Sequence, residues 1–190
     1  METLIVCLGS ERVCDDGIGA IVAQVLNLLP LPSEVTVKTA ARVSFDLLDE
    51  IATADKIVLV DALDNGVEPG ACTVVDVSDL PAAIASSECA HSATVLQTID
   101  FVRYVACGSS PASVAIAGVQ GRQFLCYGTS FSPEVWSAIP RLVDLILLFI
   151  GAKVEARTMV RDLCEHLAGP TTRQSPCRQY EGGQSDEAFV

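Results

Sequence analysis

Several signatures are missing from this chain, and each absence removes a class of function. No two of its eight cysteines are spaced C-x-x-C and the eight show no paired spacing, so zinc ribbons and dithiol redox motifs are unsupported. No G-x-G-x-x-G follows a strand and no glycine–lysine–Ser/Thr loop occurs, which argues against a dinucleotide or nucleotide phosphate cradle. Basic residues are scarce: 12 Lys and Arg stand against 24 Asp and Glu, a formal charge of −12. This balance argues against a polyanionic partner, whether nucleic acid or an anionic membrane. The longest late apolar run, Leu145–Ile150, falls far short of the about 20 residues a span requires, and reads as a buried helix end. The amino terminus lacks a basic, cleavable leader pattern, so a cytoplasmic location is expected. Histidine is rarer still, with only His91 and His166.

Half of the residues are apolar, enough to fill one core at this length. The organising stretch is Leu4–Gly19. Leu4-Ile5-Val6-Cys7-Leu8 is a short apolar run with β-branched residues and reads as a buried strand. Gly9 and Ser10 break it. Asp15-Asp16-Gly17 then lead into Ile18, Ile21, Val22, Val25 and Leu26, spaced as one helix face that ends near Leu29 before Pro30 and Pro32. This is a βα unit, and its acidic pair lies beyond the carboxyl end of the strand, where open α/β sheets bind ligands. Asp15 is expected to cap the helix. Asp16 is either a favourable charge in the first turn or a carboxylate aimed into the cleft as metal ligand or acid/base. Cys14 abuts both acids, which raise rather than lower a thiol pKa, so it is a poor nucleophile. In a reducing cytosol most of the cysteines read as small core hydrophobes.

Further along, Val35–Lys38 reads as a strand, and Ser44 as the N-cap of a helix carrying Leu47, Leu48 and Ile51. Ile57-Val58-Leu59-Val60-Asp61 reads as a central strand closing on a carboxylate, and Cys72–Val77 as a strand nearer an edge. Asp61 is either a turn residue satisfied by local N–H groups or a second acid in the crevice of Asp16. From Ser92 onward Val95, Leu96, Ile99, Val102 and Ala106 form a helical stripe, with His91 at its start. The dipole there disfavours an imidazolium, and a neutral imidazole is a ready metal ligand. His166 reads as solvated surface. One His and two carboxylates from three loops make a mixed N/O site for a divalent transition metal with open positions. Ser113–Val119 is a further buried strand, Tyr127–Ser130 a loop, and Pro133 sits near the first position of a helix that buries Val135, Ile139, Leu142, Val143, Ile146 and Leu147. Val154–Leu167 reads as a last, more polar helix. Residues 1–168 thus read as a single α/β domain, and 169–190, poor in core formers, as a flexible tail.

Taken together, Leu8-Gly9, Asp15-Asp16-Gly17-Ile18-Gly19, Val60-Asp61-Ala62, Glu68-Pro69-Gly70, His91, Gly118-Val119-Gln120 and Ser132-Pro133-Glu134-Val135 resemble the hydrogenase maturation endopeptidases over roughly residues 3–150. The resemblance implies a three-layer αβα sandwich with a mostly parallel central sheet, of the phosphorylase/hydrolase-like kind. It implies an aspartic-type or metal-dependent endopeptidase that removes a C-terminal extension from the precursor of the nickel–iron hydrogenase large subunit after nickel insertion. Its three metal-contacting and catalytic positions map onto Asp16, Asp61 and His91, with nickel supplied by the substrate and the protease a monomer. The chain departs from the family pattern at three places. Gly-Asn after the first strand is Gly9-Ser10, the Asp-Gly-Gly-Thr loop is Thr39-Ala40-Ala41-Arg42, and Gly-Val-Gln-Pro ends in Gly121. The Thr39–Arg42 change leaves a second reading open, a nickel-sensing module without proteolysis. A small-molecule α/β hydrolase is a broader alternative, against which the lack of a nucleophile with a histidine partner argues.

Overall fold

The computed structural model describes residues 1–41, 45–79, 104, 111–152, 160, 162–163 and 178–179. Along the chain it places β1 (Thr3–Leu8), a 3-10 turn (Cys14–Gly17), α1 (Ile18–Leu28), β2 (Val35–Ala40), α2 (Leu48–Thr53), β3 (Lys56–Leu63), β4 (Cys72–Asp76), β5 (Ser113–Gln120), β6 (Cys126–Tyr127), α3 (Pro133–Phe149) and β7 (Arg178–Gln179). Five strands form one sheet in the order β2-β1-β3-β5-β4. The first four are mutually parallel, and β4 closes the edge antiparallel to β5. The mostly parallel sheet flanked by helices is the expected architecture.

Alternation along the central strands sorts the core into two layers. Ile5 and Cys7 of β1, with Val58, Val60 and Ala62 of β3, face α1 and α3. Leu4, Val6, Leu8, Ile57 and Leu59 face Leu47, Ile51 and Ala54 on the other side. Both faces of β1 and β3 are thus covered, which is why these strands read as continuous apolar runs rather than as alternating ones. Val160 is buried in the first layer and Leu163 packs against it.

Several expectations need correction. The strand expected to close on Asp61 continues to Leu63, so Asp61 lies inside β3. Tyr127, expected in a loop, is in β6, which pairs antiparallel with β7. Leu148, within the run expected to be a buried helix end, is exposed, because the last turns of α3 present one face to solvent. Among the described cysteines Cys7, Cys14 and Cys72 are not in disulfides, whereas Cys126 is disulfide-bonded rather than a simple core thiol. His91, the helix expected after it apart from Tyr104, Ser44, and all of 169–190 except Arg178–Gln179 lie outside the described residues. Among the described residues no helix is long and apolar enough to cross a membrane.

Candidate functional site

The acidic loop begins where β1 ends. Gly9 takes a φ of +114°, and a Cβ there would lie 1.9 Å from the carbonyl oxygen of Asp16, so the loop folds back on itself at a distance only glycine allows. Three bonds close that turn: Val13 N–H to Ser10 O (3.0 Å), Asp16 N–H to Val13 O (2.8 Å), and Ser10 N–H to Asp16 Oδ2 (2.7 Å). Gly19 lets α1 sit hard against the strand end, since a Cβ there would come within 2.1 Å of Leu8 O. Between these glycines Cys14 adopts a left-handed φ of +27° and opens the 3-10 turn that carries both aspartates. Strained backbone of this kind persists where surrounding bonds over-determine it. Here those bonds come from Asp15.

Asp15 does not cap the helix. Among the described residues no side chain caps either the 3-10 turn or α1. Its carboxylate is fully buried and is consumed by four donors from a segment more than 100 residues away. Arg122 N–H (2.9 Å), Gln123 N–H (2.9 Å) and Ser132 Oγ–H (2.9 Å) all reach Oδ2, and Ser132 N–H reaches Oδ1 at 2.7 Å. Backbone bonds reinforce the clamp: Asp15 N–H donates to Gln123 O, Cys14 N–H to Gly128 O, and Gly128 N–H to Arg12 O. A carboxylate so occupied is unavailable to a ligand. It ties the segment around residues 122–132 to the loop that presents Asp16. Nothing local in the sequence announces this pairing, although Ser132 is one of the quoted motif residues.

The other two acids lie close enough for the charge of Asp16 to act on Asp61. Asp16 is half-buried and Asp61 only 5% exposed. Asp61 Oδ1 accepts the N–H of Ala62 at 2.8 Å. Burial pushes the Asp61 carboxyl up to about 7, the negative charge of Asp16 adds to the rise, and the Ala62 N–H opposes it. The structure therefore brings Asp16 and Asp61 into one electrostatic neighbourhood at the carboxyl ends of β1 and β3. A buried carboxyl such as Asp61, with its pKa raised to about 7, can hold a proton near neutral pH or exchange it for a cation. An oxygen pair of this kind suits a divalent metal that brings further ligands with it. Among the described residues no three His, Cys, Asp or Glu side chains converge as a metal cluster, and His91 is not among those residues.

The Gly118-Val119-Gln120 stretch is structural. Gln120 is buried; its Oε1 accepts the N–H of Asn65 (3.0 Å) and its Nε2 donates to Gly121 O (2.9 Å). With Gly121 N–H on Leu63 O and Gly70 N–H on Gln120 O, it pins the turn that follows β3. Gly118, paired in register with Asp61, leaves room for the Leu63 side chain, which a Cβ would meet at 2.4 Å. Beside Ser10 a cleft of about 300 Å³ opens, lined by Cys7, Gly9, Arg12 and the Thr39-Ala40-Ala41 segment. Cys14 is buried, and burial together with the Asp15 charge raises its thiol pKa, as its sequence position implies.

A family model described as HycI, hydrogenase maturation protease, matches residues 22–148. A Methanocaldococcus jannaschii protein provisionally named a hydrogenase maturation protease is 29% identical over 150 residues, covering 77% of this chain and 94% of its own. The hydrogenase expression/formation protein HupD of Thiocapsa roseopersicina is 23% identical over 151 residues, covering 79% of this chain and 68% of its own. Among solved structures, the hydrogenase maturating endopeptidase HybD of Escherichia coli superposes with a TM-score of 0.67 at 20% identity, covering 80% of this chain and 93% of that one. The NiFe hydrogenase maturation protease HybD of Thermococcus kodakarensis superposes with a TM-score of 0.65 at 20% identity, over 78% of this chain and 99% of its own.

Proposed function

The chain belongs to the hydrogenase maturation protease family, and from that membership we propose that it is an endopeptidase removing the C-terminal extension of a nickel–iron hydrogenase large-subunit precursor after nickel insertion. The observation that carries the reading is the carboxyl pair Asp16–Asp61 at the carboxyl end of a parallel sheet, with Asp61 buried and held near neutrality. Asp16, Asp61 and His91 would grasp nickel already seated in the precursor, so that recognition is tied to successful metal insertion. The ion belongs to the substrate, whose own ligands complete the coordination that two carboxylates and an imidazole leave open.

Such an ion can polarise the scissile carbonyl or lower the pKa of a water. What the chain contributes is position and proton chemistry. Asp15 holds the Asp16 loop against the segment around residues 122–132, and Ser10 N–H orients the Asp16 carboxylate. The raised Asp61 also supports an alternative role, with its carboxyl off the ion, as the general base that takes a proton from the attacking water, because a carboxyl near 7 is matched to that task at neutral pH. The Thr39-Ala40-Ala41 wall of the adjoining cleft is where this chain departs from the family loop, and we assign to it the choice of large subunit.

Incubation with nickel-loaded precursor, followed by intact-mass measurement of both chains, tests the reading. The precursor is expected to lose the mass of its extension while the protease is unchanged. An intact precursor that nevertheless co-elutes with this protein would replace the endopeptidase with the nickel-sensing module.

A further inference from the structure

The strand β6 stands between the acidic loop and the second strand of its small sheet, and its two edges are used differently. Gly128, the residue after β6, spends both backbone polar groups on the acidic loop: its N–H goes to Arg12 O (3.0 Å) and its carbonyl accepts Cys14 N–H (2.9 Å). Successive residues of an extended chain direct their backbone groups to opposite edges. Those of Tyr127 therefore face outward, and there Tyr127 is paired with Arg178, as Cys126 is with Gln179. The side chains alternate too. Cys126 is buried, whereas Leu125 is 88% and Tyr127 65% exposed, two large apolar groups on one face next to the acidic loop.

We propose that the outer edge of β6 is a strand-docking site for the extended peptide next to the scissile bond of the precursor, and that Arg178–Gln179 holds this edge as a competitor in the free protein. The inference rests on the endopeptidase reading and adds to it the place where substrate lies. The edge accepts an antiparallel strand, as β7 demonstrates. Strand addition suits a segment that must be held extended, since backbone bonds supply affinity whatever the sequence, and alternate side chains supply selectivity. Leu125 and Tyr127 ask for apolar residues on that face, and the charge of −12 favours a neutral or basic peptide. Strands lie about 4.8 Å apart, so a chain in the place of β7 runs roughly 10 Å from Val13, which bridges to Gly128 and belongs to the loop that carries Asp16.

The test uses the full chain in dithiothreitol, which opens the Cys126 disulfide, with nickel-loaded precursor as substrate. Arg178→Pro removes the N–H that the competing strand presents to Tyr127, and KM is expected to fall about 3- to 10-fold with kcat unchanged, the factor for one or two hydrogen bonds. Leu125→Ser, at an exposed position whose loss leaves the fold intact, is expected to raise KM about 3-fold or more without lowering kcat. An unchanged KM in Leu125→Ser overturns the docking site, and an unchanged KM in Arg178→Pro overturns the competition. If the wild-type protein cleaves nothing, the endopeptidase reading fails on its own. Fluorescence anisotropy of a labelled peptide carrying the precursor's C-terminal extension then decides the docking: Arg178→Pro binds it more tightly than wild type and Leu125→Ser more weakly if the edge is its site, and equal affinities refute it.

Discussion

Replacing Asp15 with Asn alters no shape and asks how much the buried clamp contributes. In the wild type three backbone N–H groups and one hydroxyl converge on the two carboxylate oxygens. An asparagine can keep its oxygen toward Arg122, Gln123 and the Ser132 hydroxyl, and its NH2 then meets the Ser132 N–H head-on. Leaving that buried donor without an acceptor costs about 1–3 kcal/mol, and converting the remaining charge-assisted bonds to neutral ones about 1 kcal/mol each. Relief of burying a charge offsets part of this. The expected loss is about 3 kcal/mol, a fall in melting temperature of roughly 6–12 °C for a domain of this size. Ser132→Ala, which removes only the hydroxyl bond, should lose about 1 kcal/mol. Circular-dichroism melts and urea titrations of both variants measure the difference. If Asp15→Asn is no less stable than Ser132→Ala, the clamp does not hold the loop and the account of how Asp16 is positioned is wrong.

Gly9→Ala should be costlier than an ordinary loop substitution, by about 2 kcal/mol or more, because both the positive φ and the 1.9 Å approach to Asp16 O must be relieved; a wild-type urea midpoint would contradict this. Asp61 has a pKa raised in the folded state above its ordinary 3.8, so its contribution is unpenalised below about 3.8 and is lost progressively as pH climbs to about 7. Asp61→Asn should therefore be the more stable protein at pH 8, by up to about 4 kcal/mol, and indistinguishable from wild type near pH 4. A stability difference that does not change with pH would count against the buried acid. Asp16→Asn removes the neighbouring charge and should lower the Asp61 titration midpoint, followed by carbon-detected NMR; an unmoved midpoint would separate the two acids. Asp16→Asn and His91→Ala should each abolish processing with far-ultraviolet dichroism unchanged, and retained cleavage by either argues against metal grasping.

The sheet was legible because its central strands are buried on both faces. Leu4–Leu8, Ile57–Val60 and Ser113–Val119 are apolar runs too short for helices, and each became a parallel strand. Cys72–Val77, less uniformly apolar, read as a strand nearer an edge, and β4 does lie at the edge; its antiparallel sense came only with the structure. Asp16 and Asp61 stood out because carboxylates at strand ends of an open sheet have one place to go. Asp15 was misread because a helix-start aspartate has a strong local explanation, and its true partners, Arg122, Gln123 and Ser132, are set by tertiary folding alone. The pairing of β6 with β7 was equally invisible, since two-residue strands carry no periodicity. The extra length of β3 was hidden by Asp61 itself, a polar residue that reads as a strand terminus but lies buried inside one.

The central claim is that the precursor's own nickel, held between its ligands and Asp16, Asp61 and His91, licenses cleavage. Its most direct test is to treat the protease with chelator, offer it the same precursor in nickel-loaded and metal-free forms, and follow both by intact mass. Only the nickel-loaded precursor should lose its extension, and adding nickel to the protease before mixing should not rescue the metal-free one. Removal of the extension from metal-free precursor at the same rate would contradict the claim and leave Asp61 as a base acting without metal.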